Sequence, residues 1–156
     1  MTTTAFLYRR TALALTLAAL AGLSACGGGG GSSSEPTWAE TSGSTAITAL
    51  KTTDTTVGTG ATAGVGSKVS VTYTVWLYDV RVASTQKGTQ VDTGTFPFTL
   101  GAGGVIAGFD QGVSGMKVGG KRTVVVPASL GYGSAGQGTV PANAALIFDL
   151  ELVSAV

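Results

Sequence analysis

Apolar and polar side chains take turns along much of this chain. Val69, Val71, Tyr73, Val75 and Leu77 alternate with Ser70, Thr72, Thr74 and Trp76. That period of two predicts a β-strand with one buried face. Phe96, Phe98 and Leu100 repeat the pattern, and Pro97 between them points to an edge or a bulge, because proline brings no N–H to a ladder. Thr123 and the valines up to Val126 are β-branched and stop at Pro127. In the last strand Leu146, Phe148, Leu150 and Leu152 alternate with Ile147, Asp149 and Glu151. Ile47-Thr48-Ala49-Leu50-Lys51 is expected as the first strand, followed by a Gly- and Thr-rich turn through Gly66. One segment keeps a different rhythm. Val105 or Ile106, then Phe109, Val113 and Met116, recur three or four residues apart, the spacing of one helix face, and Gly108, Gly112 and Gly115 keep that helix short. Several antiparallel strands and one amphipathic helix that must cover their apolar face make an α+β domain with a single core.

The N-terminus reads as an address. Arg9 and Arg10 precede an apolar stretch over residues 11–23, long enough for a signal-peptide core and short for a spanning helix of about 20 residues. It runs into Leu23-Ser24-Ala25-Cys26, which resembles a lipobox: an apolar residue, two small ones, then a cysteine that is lipidated and becomes the first residue. Small residues let the backbone lie extended in a peptidase groove. Gly27-Gly28-Gly29-Gly30-Gly31-Ser32-Ser33-Ser34 has no side chains with which to build a core and is expected to act as a flexible tether. The expected organisation is a leader over 1–25, a tether over 26–45 and a folded domain over 46–156. The protein is then exported and held at a membrane by acyl chains on Cys26. Gly27 at the next position resembles the outer-membrane sorting pattern of Gram-negative lipoproteins, which implies a periplasm-facing location in such a cell.

Composition narrows the chemistry. Charged residues make up 11% of the 156 positions, against about 25% in ordinary soluble domains, and Gly supplies 25 residues. The formal net charge is +1. Without the two leader arginines the chain is near neutral, and no electrostatic footprint for nucleic acid is visible. The chain has no His, which removes Ser-His and Cys-His nucleophilic arrangements and His-based metal sites. Cys26 is the only cysteine, so no intrachain disulfide forms.

Several segments, in order, resemble the FKBP-type peptidyl-prolyl cis/trans isomerases. They are Val71-Thr72-Tyr73-Thr74, Phe96-Pro97-Phe98-Thr99-Leu100-Gly101, Val105-Ile106-Ala107-Gly108-Phe109, and Gly112-Val113-Ser114-Gly115-Met116-Lys117-Val118-Gly119-Gly120-Lys121. Pro127 followed by Tyr132-Gly133, and then Leu146-Ile147-Phe148-Asp149-Leu150-Glu151-Leu152, complete the set. The similarity covers nearly all of residues 46–153. It implies a twisted antiparallel half-barrel wrapped around one short helix, in the form of a bacterial lipoprotein. It also implies a proline pocket lined by Tyr73, Val91, Asp92, Phe96, Val105, Ile106, Phe109, Tyr132, Val140 and Phe148. Phe109 takes the place of a Trp common at the pocket floor, and Val91 that of a Phe. An Arg often found after the Asp has no counterpart, the loop over 79–90 is longer than in minimal members, and Gln137 stands near a position that is often His.

The resemblance also implies roles. Phe109 forms the floor beneath the pyrrolidine ring, with Tyr73, Phe96 and Phe148 as walls. The Ile106 N–H and the Tyr132 hydroxyl hold substrate carbonyls. Asp92 either orients Tyr73 or meets the twisted carbonyl. By spacing alone the same residues read differently: Phe148 and Val105 as core, Tyr132 as a turn residue between glycines, Asp92 before Thr93-Gly94 as an Asx-turn residue. The expected substrates are X-Pro segments of unfolded or exported proteins, with macrolides as possible inhibitors and no cofactor or metal. A chaperone or binding module of weak or no turnover is the alternative. Without a heptad repeat or dimerisation helix, a monomer is expected. Lys117, Lys121 and Arg122 read as a solvated rim.

Overall fold

The longest run of the period-two pattern forms strand β2 (Lys68–Tyr78). In the computed structural model, which describes residues 36–156, it pairs antiparallel with β3 (Lys87–Thr99) on one side and β5 (Leu146–Ala155) on the other. The sheet continues from β5 to β4 (Lys121–Val126) and ends at β1 (Lys51–Thr56), giving the order β1-β4-β5-β2-β3. The period-two residues do what their spacing demands. Val69, Val71, Val75 and Leu77 of β2, Val124 and Val126 of β4, and Leu146, Phe148, Leu150 and Leu152 of β5 are buried on one face. Each such side chain stabilises the fold by about 1.5–3 kcal/mol on burial. β3 is an edge strand, which is where Pro97 is tolerated.

Helix α2 (Ala107–Val113) lies across that apolar face with Gly108, Phe109, Gly112 and Val113 buried. Seven residues with two internal glycines have little intrinsic tendency to be helical, so packing holds the helix in place. The glycines set how close it comes. A Cβ on Gly108 would stand 2.2 Å from Val126 Cγ1, and one on Gly112 would stand 3.0 Å from Val124 Cγ2. The expected architecture, an α+β twisted antiparallel sheet around one short helix, is the observed one.

Four details differ from the sequence reading. The first strand is Lys51–Thr56, and residues 47–50 precede it. Ile47 and Leu50 are apolar because Ile47 packs on the outer cluster of Tyr78, Ala145 and Ile147, and Leu50 packs against the main core. Thr52, Thr53, Thr55 and Thr56 supply the β-branched backbone that β1 needs without any alternation. Order also begins before residue 46. Helix α1 (Trp38–Thr41) and a 3-10 turn over Ser44–Ala46 form there, with Ala39, Ser42 and Ser44 buried, so residues 37–45 belong to the domain rather than to a tether. The long loop spans 79–86, since β3 starts at Lys87. Finally, Arg122 is no solvated residue: its side chain is 13% exposed, it pairs with Asp54 at 2.6 and 3.2 Å, and its Nη1 donates to the Gly112 and Ser114 carbonyls at the end of α2. The expected leader, Cys26 and the Gly/Ser tract lie outside the described residues.

Gly108 gives a test of sign. Alanine is favoured over glycine within helices by about 1 kcal/mol, but a methyl group 2.2 Å from Val126 must be accommodated, at a cost of roughly 1–3 kcal/mol for overpacking. Gly108→Ala is therefore expected to lower the urea midpoint; an unchanged or higher midpoint would show that α2 is free to lift off β4.

Candidate functional site

Beneath the concave face, α2, β2, β3 and β5 stop short of closing on one another and leave an open cleft of about 690 Å³. All ten residues expected at the pocket line it. Each arrives by a local rule. Tyr73 and Val75 of β2 sit two residues apart and so share a face, as do Leu146 and Phe148 of β5. Phe109 projects inward from the first turn of α2, and Val105 and Ile106 lead into that helix. Tyr132 follows a 3-10 turn over Ala128–Leu130, and Val140 comes from the loop before β5. Val91 and Asp92 are neighbours in β3, which in a regular strand would face opposite sides. Val75 pairs with Asp92 while Trp76 pairs with Gln90, so Val91 is an extra residue, and the bulge turns both side chains to the cleft.

The floor is an aromatic cluster centred on Phe109, which is 5% exposed. Its ring meets Tyr73 edge-on at 5.8 Å, Phe148 edge-on at 5.4 Å and Phe98 at 5.5 Å. Such contacts contribute roughly 0.5–1.5 kcal/mol each beyond burial, so the floor is stiff. Phe98 does not line the cleft but supports Phe109 and stacks on Phe96 at 6.3 Å. Phe96 and Tyr132 form the exposed rim, at 45% and 36%. Neither the Tyr132 hydroxyl nor the Ile106 N–H makes a hydrogen bond among the described residues, so both are open to an incoming group. Sequence reasoning did not assign Val75, Leu146, Gly103, Gly104, Gly138 or Thr139 to the cleft. The first two were legible only as core positions, and the loop residues carry no spacing signal. Gln137, noted as standing near a variable family position, also lines it.

Asp92 is the single charged side chain in the lining among the described residues. Its Oδ2 accepts the Tyr73 hydroxyl at 2.6 Å and its Oδ1 accepts the Thr93 N–H at 2.8 Å. Asp92 therefore orients Tyr73 from within β3; its bond to the Thr93 N–H reaches only the next residue, so the Asx turn that spacing alone suggested does not form. The hydrogen bond to Asp92, with burial adding to it, pushes the Tyr73 phenol from 10.0 up to about 12. The same bond, followed by that from Thr93, holds the Asp92 carboxyl below its ordinary range. The result is a neutral phenol tied to an anion at the edge of an apolar hollow.

Residues 60–153 match the family described as FKBP-type peptidyl-prolyl cis-trans isomerase. FK506-binding protein 3 of Candida albicans is 43% identical over 66% of this chain, which spans only 23% of that relative's length. The FK506-binding protein of Neisseria meningitidis is 40% identical over 62% of this chain and 86% of its own. The crystal structure of AtFKBP13 superposes with a TM-score of 0.59 at 30% identity, covering 69% of this chain and 93% of that one.

The protonation of the pair has a defined window. Asp92 has a depressed folded-state pKa, so its contribution is complete above the unfolded value near 3.8 and is lost as pH falls through the lower folded one. Tyr73 has a raised one, so its contribution is complete below 10.0 and is lost as pH rises through about 12. Ligand binding to the cleft is expected to be flat between about pH 5 and pH 9, measured by titration calorimetry with a proline-containing peptide. Asp92→Asn should bring the Tyr73 resonance midpoint back toward 10 in an NMR titration.

Proposed function

The chain belongs to the FKBP-type peptidyl-prolyl cis-trans isomerase family, and we propose that its cleft catalyses rotation about X-Pro bonds in exported, incompletely folded proteins. The observation that carries this reading is the cleft floor of Phe109, Tyr73 and Phe148, an aromatic cup with one fixed polar pair. An amide resists rotation by about 18–20 kcal/mol because its planar form is resonance-stabilised. Twisting removes conjugation and makes the group less dipolar. Water favours the planar, polar form, so a site that strips water and fits the twisted shape lowers the barrier without a reactive side chain. A ten-thousandfold acceleration needs about 5.5 kcal/mol. Chemistry of this kind suits a chain without histidine.

The roles follow from positions already described. Phe109 underlies the pyrrolidine ring, with Tyr73, Phe96 and Phe148 around it. The Tyr132 hydroxyl and Ile106 N–H, neither bonded among the described residues, hold the flanking carbonyls, while Val91, Val105 and Val140 complete the apolar wall. Asp92 fixes Tyr73 through its Oδ2; as an acceptor-only anion it offers no hydrogen to a substrate carbonyl. The named relatives are FK506-binding proteins; FK506-type macrolides are accordingly proposed as inhibitors here. The leader, the lipobox ending at Cys26 and the Gly/Ser tract support a lipid-anchored, exported form, facing the periplasm from the outer membrane in a Gram-negative cell.

A proline-limited refolding assay on a soluble form starting near Glu35 tests the activity. Acceleration is expected, and Phe96→Ala, at an exposed rim position, should reduce kcat/KM about tenfold with the fold retained. Tyr132→Phe removes only a hydroxyl and should cost roughly threefold to tenfold. Binding of unfolded protein with no acceleration would establish the chaperone reading instead. For the anchor, Cys26→Ser should move the protein from the membrane to the soluble fraction; continued membrane attachment would refute the lipobox.

A further inference from the structure

The N-terminal segment and the 79–86 loop form a built contact that the cleft chemistry does not use. Glu40 closes the first turn of α1 by accepting the Thr37 N–H at 2.8 Å. The segment then meets the loop in three ways. The Arg81 guanidinium lies 5.4 Å over the Trp38 ring, and the Val80 N–H donates to the Ser42 carbonyl at 2.9 Å. Gly43, at φ +75°, comes so close that an added Cβ would stand 3.1 Å from Val80 Cγ1. Within the loop Arg81 also grips Asp79 through a two-pronged pair at 2.8 and 2.7 Å.

This contact matters because of what the loop feeds. From Val75 to Tyr78 β2 advances three residues, while its partner β3 runs from Asp92 to Lys87, five residues, with two interruptions in register. Two extra residues in so short a stretch leave the ladder with few bonds to fix where each side chain of β3 points. As an edge strand, β3 has no second strand neighbour among the described residues, and past β2 its first residue, Lys87, reaches Asp149 of β5 by a side-chain pair alone. What it does have is an anchored start. The Asp79 N–H donates to the Gln86 carbonyl at 2.8 Å, and Gly88 lets β3 pass Asp79 at a distance where a Cβ would stand 2.9 Å from Asp79 Cβ.

We propose that Trp38 and Arg81 are positioning residues for the cleft. By pinning the 79–86 loop they hold the doubly bulged start of β3, which keeps Val91 and Asp92 facing inward and Asp92 on the Tyr73 hydroxyl. The segment over 37–46 is thus a brace for one cleft wall. One readout of the test rests on the proposed activity and the other does not.

The experiment uses the mature-length chain with Trp38→Ala, Trp38→Phe, Arg81→Ala and Arg81→Lys, each held well below its melting temperature. Arg81→Ala leaves the buried Asp79 without its partner, so near-UV circular dichroism first checks each fold, and Arg81→Lys, which keeps a cation beside Asp79, carries the test where an alanine variant unfolds. NMR of ring-labelled tyrosine follows the Tyr73 titration, and kcat/KM is measured on a short, unstructured X-Pro peptide. Release of the brace is expected to move the Tyr73 midpoint down from about 12 and to lower kcat/KM about fivefold or more. Trp38→Phe, which keeps an aromatic face, should restore both. Arg81→Lys, which loses the two-pronged grip on Asp79, should restore neither fully. Alanine variants that melt earlier yet keep the native Tyr73 midpoint overturn the proposal and reduce the segment to a stabilising cover. If the unaltered protein shows no turnover, the activity reading fails while the Tyr73 titration still decides this one.

Discussion

The contact between Phe109 and its three aromatic neighbours is the one on which the rest of the structure depends. Phe109 is donated by a helix too short and too glycine-rich to persist alone, and it is received by Tyr73, Phe98 and Phe148 from β2, β3 and β5. Removing it would take away both the reason for α2 to lie on the sheet and the base of the cleft. Stability and function therefore draw on one cluster. The glycines at 108 and 112 serve the same contact, since they let the helix descend until the ring reaches its partners.

Charge plays a smaller and more local part. The near-neutral chain places its ionic contacts where strands and helix meet, with Arg122 tying β4 to Asp54 of β1 and to the end of α2. Lys87 joins β3 to Asp149 of β5 across Trp76, lying 4.4 Å over its ring. Among the described residues that line the cleft, the one carboxylate is held in orientation by two internal donors. A carboxylate so engaged shapes its surroundings more than it reacts with them.

Much of this was legible in the residues themselves. Period-two alternation located β2 and β5 because each has one face on the core and one on solvent. Helical spacing located Phe109, Val113 and Met116 for the analogous reason. The ordered family segments then gathered the cleft lining, which no periodicity distinguishes from core. What stayed hidden had physical causes. β1 is exposed on both faces and so carries no alternation, while Ile47 and Leu50 mimic a strand because each packs on a different surface. The bulge at Val91 depends on a register that only pairing defines. Trp38 stood alone among polar residues, and its partner Arg81 lies in a loop 43 positions away, beyond the reach of local pattern.

Under the proposed function, the open side of β3 has a consequence. An unpaired strand edge invites extended peptides to add to it and stay, the first step toward insoluble aggregates. Here that edge lies beside the cleft, with Pro97 offering no amide hydrogen and two bulges breaking the straight run of donors and acceptors. A visiting chain finds an interrupted template on which a long ladder does not grow. The irregularities that aim Val91 and Asp92 thereby also make this edge a poor seed for a growing sheet.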